Sequence, residues 1–277
     1  MTDDEIHIKT ETEVAKMRAA GLVVSAALDA VRAAIVPGVS TADLNAIAER
    51  VITDAGATSN FKGYRGGGTT PFPAVICASV NDEVVHGIPD AGHRLREGDI
   101  ISIDCGAVLD GWHGDAAFTA GVGAIDPAVQ KMLDVCEESM WRGIAAGVAD
   151  GRLGDIGFAV ESYVRSQGTY GIVEEYGGHG IGTQMHQKPH VANHGRRGRG
   201  LVLRPGLTLA VEPMIMMGRR HVVTLEDDWT VVTVDGSWAA HFEHTFAVTP
   251  GGPQVLTAPD LGVARLGGLG VAVPALN

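Results

Sequence analysis

The spacing of apolar residues predicts two pairs of helices. In four segments, apolar side chains recur at three- and four-residue intervals, which places them on one face of a helix. The predicted helices are Glu11–Val36, Ser40–Asp54, Asp126–Val148 and Asp155–Ser166. Pro37-Gly38 ends the first helix, and Ser40 with Asp43 forms the capping-box pattern of a helix start. The chain therefore contains two similar helical hairpins.

Strand-like runs follow each helical pair. They are either continuously apolar or alternate apolar with polar residues, as buried and half-buried strands do. The predicted strands are Ala74–Val80, Asp99–Val108, Leu207–Val211, His221–Leu225, Trp229–Val234 and His241–Val248. This order predicts an α+β fold in which helices cover one face of a curved sheet and the other face is open to a ligand.

The two helical hairpins also match residue by residue in places. Lys16-Met17 corresponds to Lys131-Met132, and Asp43-Leu44 corresponds to Asp155-Ile156. An internal duplication explains the match, with pseudo-repeats over about residues 10–120 and 125–249. The alternative is chance similarity between two amphipathic hairpins.

The last part of the chain differs in composition. Residues 251–277 are rich in glycine, proline, alanine and leucine and carry little charge. This composition predicts one final strand near Gln254–Leu256 and then a poorly ordered tail.

Composition narrows the class of protein. Of the 277 residues, 45% are hydrophobic and 19% are charged, as in a globular protein with a buried core. The net charge of −12 argues against binding to DNA, and no segment has the pattern of a signal peptide or a transmembrane helix. Cys77, Cys105 and Cys136 form neither a metal knuckle nor a disulfide framework, which favours a reducing cytoplasm.

Four carboxylates and one imidazole are the strongest candidates for chemistry: Asp104, Asp115, His179, Glu212 and Glu243. Period-two alternation places Asp104, Glu212 and Glu243 opposite the apolar faces of their strands. Buried unpaired carboxylates are costly, and a metal ion compensates for that cost. Four carboxylates are too much negative charge for one divalent ion, so the set predicts two ions that share bridging oxygens. For either aspartate alone, a surface turn is the alternative.

Two further histidines, His86 and His186, have neighbours that suggest chemistry. His86 lies in Asn81–Pro89, and His186 follows His179 by seven residues. Beside the ligand set, both are candidates to polarise a carbonyl and stabilise an oxyanion. A structural histidine paired with a neighbour is the alternative for each. The four glycines around His179 allow positive φ angles and close approach of a substrate. A flexible loop with an incidental histidine is the alternative.

Together these segments resemble a known family. The series HGIP, DCG, HGD, GGHGIG, VEP and FEHT, in this order, is similar to type I methionine aminopeptidases. The resemblance runs from about Glu11 to Thr249 and implies the pita-bread fold, with two pseudo-symmetric halves and helices covering a curved antiparallel sheet. It also implies a single catalytic metallopeptidase domain over residues 1–250. Only 33 residues separate His179 from Glu212, which leaves no room for the helical insertion of type II members.

The resemblance assigns roles to the five ligand candidates. It implies two divalent ions, either Co, Mn, Fe or Zn. Asp104 would bind one ion through both oxygens, and Asp115 and Glu243 would bridge the two. His179 and Glu212 would complete the second site, and Glu212 would also accept a proton from the bridging water.

The resemblance also implies how substrate is held. His86 and His186 would contact the substrate amide and the tetrahedral intermediate. The methionine side chain would enter a pocket formed by Tyr64, Phe72, Cys77, Met185 and Trp229. Two segments depart from the family pattern: the glycine run in residues 64–72, and Cys105-Gly106 directly after Asp104. Both lie beside the predicted site, and neither removes a ligand.

The implied activity is removal of the initiator methionine from nascent proteins whose second residue is small. The implied partners are nascent polypeptide N-termini and, transiently, the ribosome; we expect a cytoplasmic monomer without a DNA or membrane partner. One alternative is an Xaa-Pro aminopeptidase or dipeptidase of the same fold, which usually carries a long N-terminal domain that we do not expect here. The other is a non-catalytic pita-bread binding protein, a class in which metal ligands are lost.

Overall fold

A computed structural model describes residues 6–66 and 70–275 and contains the four predicted helices. The helices are α1 (Glu11–Ala33), α2 (Thr41–Asp54), α3 (Pro127–Ala145), α4 (Leu153–Gln167) and α5 (Val263–Gly268). The predicted capping box is present, because Asp43 N donates to Ser40 Oγ and Ser40 N donates to the Asp43 carboxylate, each at 3.1 Å. Such caps stabilise a helix by about 1 kcal/mol.

The predicted strands are present, together with the ten-residue strand β5 and several shorter strands that were not predicted. The strands are β1 (Thr58–Ser59), β2 (Ile76–Val80), β3 (Glu83–Val85), β4 (Ile100–Leu109), β5 (Trp112–Gly121), β6 (Gly171–Ile172), β7 (Gly178–Gly180), β8 (Gln187–Val191), β9 (Thr208–Val211), β10 (Met214–Met216), β11 (Val222–Thr224), β12 (Val231–Thr233), β13 (Ala239–His241), β14 (Glu243–Thr249) and β15 (Gly252–Val255). The predicted strand His241–Val248 is interrupted at Phe242, where β13 ends and β14 begins.

Nine strands form one antiparallel sheet in the order β1-β4-β5-β14-β9-β7-β8, with β2 paired to β4 and β15 paired to β14. The two halves of the chain meet inside this sheet. Antiparallel pairing of β5 with β14 joins them and places Ala117 beside Glu243 and Ala116 beside His244. Helices α1 and α2 pack together in the first half, and α3 and α4 pack together in the second. This is the two-half α+β arrangement expected from the resemblance.

The main hydrophobic core lies between the helices and one face of the sheet. Ile103 and Cys105 of β4 and Phe246 of β14 are completely buried there, against Met132 and Met140 of α3 and other helical side chains. Apolar burial on this scale contributes about 25 cal/mol per Å² of apolar surface removed from water. The opposite face of the sheet is left for polar side chains.

The prediction of a poorly ordered tail is wrong, because side chains far away in the sequence hold this segment. The Arg18 guanidinium donates hydrogen bonds to the carbonyls of Leu256, Ala258 and Pro259 at 2.7, 2.6 and 2.8 Å. Leu266 of α5 is completely buried in the main core. These contacts offset the chain entropy that the low-complexity composition suggested would keep the tail disordered.

Candidate metal centre and substrate cleft

Three carboxylates project from the open face of the sheet in register. Asp104 on β4 pairs with Ala117 on β5, and Ala117 pairs in turn with Glu243 on β14. Asp115 lies two residues before Ala117 on the same strand, so its side chain points to the same face. The alternation of the strands and their register therefore bring these three acids together.

Glu212 and His179 extend this row onto the next strands. Val211, the last residue of β9, pairs with His244, so Glu212 follows beside Glu243. Strand β7 pairs with β9 and carries His179, whose Nε2 lies 3.5 Å from Oε1 of Glu212. The five candidate ligands thus come from consecutive positions in the sheet order, β4-β5-β14-β9-β7.

The tautomer of His179 follows from its hydrogen bond. Nδ1 of His179 lies 3.0 Å from the carbonyl oxygen of Gly180, and a carbonyl can only accept, so Nδ1 carries the proton. Nε2 is then the ring nitrogen that can present a lone pair, and it faces Glu212 Oε1. Two acceptors that face each other at 3.5 Å are the arrangement expected on either side of a cation.

The glycines around His179 serve a different purpose from the predicted one. None of Gly177, Gly178, Gly180 and Gly182 has a positive φ. A Cβ at Gly178 would overlap with the carbonyl oxygen of Ala210, and a Cβ at Gly180 would overlap with that of Lys188. The glycines therefore allow neighbouring strands to approach β7 closely, and their tolerance of positive φ angles is not used here.

All of the residues singled out in the sequence line one cavity of about 690 Å³. They are Asp104, Asp115, His179, Glu212, Glu243, His86, His186, Tyr64, Phe72, Cys77, Met185 and Trp229. Residues from both halves of the chain contribute to this cavity. The cavity is large enough for a small peptide segment, within the range of small-molecule sites.

The carboxylate cluster (Asp104, Asp115, Glu212 and Glu243 with His179) has more acceptors than donors. Oδ1 of Asp104, Oδ1 of Asp115 and Oε1 of Glu243 are buried without a hydrogen-bond partner. Burial raises the pKa of Asp104 to about 7. Burial, followed by repulsion from neighbouring carboxylates, raises the pKa of Asp115 and of Glu243 well above the usual range. The cluster lacks positive charge.

Glu212 differs from the other acids of the cluster. Burial alone would raise its pKa, but the neighbouring imidazoles of His241, His179 and His186 outweigh burial and lower the pKa overall. Glu212 is therefore an anion near neutral pH. An anionic carboxylate is both a metal ligand and a proton acceptor.

The donor atoms of the cluster fit bound divalent cations. Ligand atoms of Asp115, His179 and Glu243 lie within 4.8 Å of one another, and so do those of Glu212, His241 and Glu243. Glu243 belongs to both groups. Carboxylate and imidazole donors without thiolate suit Mn, Fe, Co and Zn. Cations would also provide the partners that the buried oxygens lack.

His86 lies on the cavity wall as a neutral imidazole. It follows β3 with a left-handed φ of 61°, a conformation in which histidine is enriched among non-glycine residues. Its ring packs edge-on against Tyr176 and Trp229, at centroid distances of 5.6 and 6.2 Å. Burial lowers the pKa of His86 to about 4, so the ring is neutral at neutral pH.

His186 lies at the mouth of the cavity and connects its two sides. Its ring packs edge-on against His179 at a centroid distance of 4.5 Å. Nδ1 of His186 lies 2.8 Å from the hydroxyl oxygen of Tyr64. Although the residue is exposed, partial desolvation and then the neighbouring His179 lower its pKa. A neutral His186 that accepts the Tyr64 proton on Nδ1 presents a donor on Nε2.

The predicted pocket residues pack into one apolar group. The aromatic pocket consists of Phe61, Phe72, Ala74, Cys77, Met185 and Trp229, with Tyr64 and Ile88 packed against it. Phe72 contacts Trp229 edge-on at a centroid distance of 5.2 Å, and Trp229 Nε1 donates to the Thr70 carbonyl at 3.0 Å. Residues 67–69 of the predicted glycine run lie outside the described residues.

The departure at Cys105-Gly106 does not alter the wall of the cavity. Cys105 pairs with Ile76 and is buried in the main core under the helices, on the face away from Asp104. A Cβ at Gly106 would overlap with the side-chain amide of Asn60, so glycine makes room for that amide. Cys77, which pairs with Asp104, is the cysteine that lines the cavity.

One residue of the site was missed in the sequence, namely His241. It precedes Glu243 by two residues, and period-two alternation places the two side chains on the same face. The alternation along residues 241–243 is the sequence signal that identifies it. Nε2 of His241 lies 3.6 Å from Oε2 of Glu212.

Comparison with known proteins decides the family. Residues 15–250 match metallopeptidase family M24. Over 250 residues, the chain is 53% identical to methionine aminopeptidase 1 of Mycobacterium tuberculosis (strain CDC 1551 / Oshkosh), which covers 88% of this chain and 92% of that protein. The chain belongs to the methionine aminopeptidases of family M24. The enzyme class and the family expected from the resemblance are confirmed.

Solved structures agree with this family and with the fold. The crystal structure of methionine aminopeptidase from Rickettsia prowazekii has a TM-score of 0.87 at 39% identity and covers 91% of this chain and 100% of its own. The prolidase from Pyrococcus furiosus has a TM-score of 0.72 at 19% identity, covering 92% of this chain and 66% of its own. The second likeness shows the fold alone. Among the described residues, no helix has the length and apolar character needed to cross a membrane.

Proposed function

We propose that this methionine aminopeptidase releases the N-terminal methionine of peptides whose second residue is small. The observation that carries the proposal is that the carboxylate cluster and the aromatic pocket line the same cavity. A hydrolytic centre beside an apolar pocket suits an exopeptidase that recognises a methionine side chain. The activity named for the close relatives supports the same conclusion.

Two divalent ions complete the proposed site. Asp104 would hold one ion, Asp115 and Glu243 would bridge both, and His179 and Glu212 would hold the other. The geometry that supports this assignment is that a ligand atom of Glu243 lies within 4.8 Å of ligand atoms of Asp115 and His179 and also within 4.8 Å of a ligand atom of Glu212. When bound, Co, Mn, Fe or Zn ions lower the pKa of a coordinated water, which supplies a hydroxide nucleophile near neutral pH.

The protein's own groups guide the proton and the substrate carbonyl. Glu212, an anion near neutral pH, accepts the proton of the attacking water. His86 and His186, both neutral, donate N–H groups to the scissile amide and to the oxyanion that develops on its carbonyl. The Tyr64 hydroxyl, 2.8 Å from His186 Nδ1, keeps the Nε2 proton of His186 aimed at the substrate.

The aromatic pocket selects the first residue. A methionine side chain is unbranched and polarisable, and its sulfur makes favourable contacts with aromatic rings such as those of Phe72 and Trp229. Cys77 stays a thiol in this role, because burial and nearby carboxylates raise its pKa well above the usual value. Tyr64, Met185 and Cys77 complete the wall of the pocket.

The proposed activity also defines which molecules the enzyme binds. A free α-amine beside the ligand cluster restricts cleavage to the first residue, so the substrates are nascent polypeptide N-termini that begin with methionine. We infer a cytoplasmic monomer that meets these substrates through transient contact with the ribosome.

A direct test uses the purified full-length chain, made metal-free and then loaded with Co²⁺ or Mn²⁺. It is assayed on Met-Ala-Ser, on Met-Leu-Ser and on an Ala-Pro peptide, with N-acetyl-Met-Ala-Ser as the control for the free amine. Release of methionine from Met-Ala-Ser alone supports the proposal. Activity confined to the Ala-Pro peptide would support the Xaa-Pro alternative, and inactivity with every metal would support a non-catalytic protein.

A further inference from the structure

His241 is a buried polar residue that the proposed mechanism does not use. It is 1% exposed, and its Nε2 is buried without a hydrogen-bond partner. Leaving a buried polar atom unpaired costs about 1–3 kcal/mol. Such a cost in the centre of the molecule indicates that Nε2 has a partner when the site is complete. The nearest candidate is Oε2 of Glu212, at 3.6 Å.

The position of His241 is fixed independently of Glu212. His241 N donates to Thr119 Oγ1 at 2.9 Å, and Thr119 Oγ1 donates to the carbonyl of His241 at 2.8 Å. His241 also pairs with Met214 across β13 and β10. Both backbone polar groups are therefore held by strands of the scaffold. The backbone that carries the imidazole is therefore held in place without any contribution from Glu212.

The two oxygens of Glu212 face different histidines. Oε1 lies 3.5 Å from Nε2 of His179, and Oε2 lies 3.6 Å from Nε2 of His241. His179 lines the cavity, whereas His241 is not among the described residues that line it. Oε1 is therefore the oxygen on the side of the metal centre, and Oε2 points to the protein behind it. Carboxylate ligands are commonly held by such a hydrogen bond behind the metal.

We propose that His241 is a positioning residue whose Nε2–H donates to Oε2 of Glu212 and thereby turns Oε1 towards the metal centre. The inference rests on the proposed function, because it assumes that Glu212 is a ligand. From 3.6 Å, a shift of less than about 1 Å gives the length of a charge-assisted hydrogen bond. The competing assignment, in which Nε2 itself binds an ion, gives a different outcome in the test below.

Two substitutions of His241 test whether its ring acts as a hydrogen-bond donor or only fills space. In His241→Gln, the side-chain amide keeps an N–H that can donate to the same oxygen. In His241→Leu, an apolar side chain occupies the site and the donor is lost. His221→Gln, at an exposed histidine outside the cavity, is the matched control. Circular dichroism and thermal unfolding establish that each variant is folded.

The first measurement is calorimetric titration of the metal-free full-length chain with Co²⁺. We expect His241→Leu to bind the weaker of the two ions roughly 10- to 100-fold less tightly, the usual effect of removing a hydrogen bond behind a metal ligand. His241→Gln and His221→Gln should stay near the wild-type affinity. In turnover of Met-Ala-Ser, His241→Leu should lower kcat with little change in KM, because His241 does not line the cavity.

The second measurement is X-ray absorption of the Co²⁺-loaded proteins, which counts imidazole ligands. An equal count in the wild type and both His241 variants supports positioning, whereas loss of one imidazole in the variants would make His241 a ligand and overturn the proposal. Wild-type Co²⁺ affinity in a folded His241→Leu variant would also overturn it. If the leucine variant does not fold, the count in His241→Gln decides alone. A wild-type chain that binds no ion would overturn the proposed function and this inference together.

Discussion

The carboxylate cluster and the aromatic pocket line the same cavity but differ in how complete they are. Three carboxylate oxygens of the cluster are buried without partners. In the pocket, by contrast, the indole N–H of Trp229 reaches the Thr70 carbonyl, and the Tyr64 hydroxyl reaches His186. The pocket is satisfied by the protein itself, whereas the cluster is satisfied only with added positive charge. The protein alone therefore satisfies the polar groups of the pocket but leaves carboxylate oxygens of the cluster without partners.

Because of this difference, substitutions in the two regions should have different effects. A substitution in the cluster should lower activity without lowering the stability of the metal-free protein, and a substitution in the pocket should lower stability without removing metal binding. Removing a charge from the cluster relieves repulsion in the metal-free protein but removes a proposed metal ligand. Removing a ring from the pocket costs packing energy but leaves the ligands intact. Stability and activity measured on the same variants therefore test the comparison.

Asp104→Asn should have the largest effect. Loss of a metal ligand removes several kcal/mol of transition-state stabilisation, so we expect turnover of Met-Ala-Ser to fall roughly 1000-fold or more. The metal-free variant should nevertheless unfold at a higher temperature than the metal-free wild type above pH 7, because the pKa of Asp104 is raised to about 7 by burial. Steady-state kinetics and thermal unfolding provide the two readouts.

Asp110→Asn is the matched control for that variant. Asp110 lies in the exposed turn between β4 and β5 with a left-handed φ of 50°, which asparagine also tolerates. Its activity and stability should stay at the wild-type level. A folded Asp104→Asn protein with wild-type turnover would show that the cluster is not the catalytic centre.

Trp229→Leu should affect binding more than chemistry. It removes an aromatic ring that contacts Phe72 and His86, and with it the favourable contact to the methionine sulfur. We expect the KM for Met-Ala-Ser to rise roughly tenfold, while Co²⁺ affinity stays unchanged. Kinetics and calorimetry on the same preparation check both statements. Weakened metal binding would mean that the pocket and the cluster are not separable.

How far the sequence predicts this site depends on the range of the contacts involved. The helices and the face on which Asp104 and Glu243 lie follow from local periodicity, and both agree with the structure. The pairing of β5 with β14, which brings Asp115 and Glu243 together, is set by contacts between residues more than 100 positions apart. The same limitation explains the error at the tail, which Arg18 holds from the other end of the chain.

Tyr64→Phe probes the hydrogen bond that links the two regions. The hydroxyl of Tyr64 belongs to the pocket and lies 2.8 Å from Nδ1 of His186, which packs against the proposed ligand His179. One hydrogen bond contributes about 0.5–1.5 kcal/mol, so kcat should fall roughly fivefold with KM nearly unchanged. The phenyl ring preserves the apolar contacts of the pocket. An increase in KM without a change in kcat would assign Tyr64 to methionine binding alone.

The smallest expected effect is that the thermal stabilities of metal-free Asp104→Asn and the metal-free wild type depend differently on pH. In the metal-free folded chain the pKa of Asp104 is about 7, whereas an unfolded aspartate has a pKa of about 3.9. Between these values the folded state holds the extra proton, so the contribution of Asp104 to stability is present at low pH and lost as the pH rises through 7. Asparagine has no such proton to lose. The advantage of Asp104→Asn over the wild type should therefore grow between pH 5 and pH 8.

Asp104→Asn and the wild type must be compared at each pH, because other groups also titrate as the pH changes. Burial lowers the pKa of His86 and of His244 to about 4, and these rings alone would make stability rise with pH up to their unfolded pKa. Both histidines are present in both proteins, so their contributions largely cancel in the difference. We expect the gap in Tm to widen by roughly 5 °C for a chain of this size. A gap that narrows as the pH rises would show that Asp104 is already compensated without a metal, and the contrast between cluster and pocket would then be wrong.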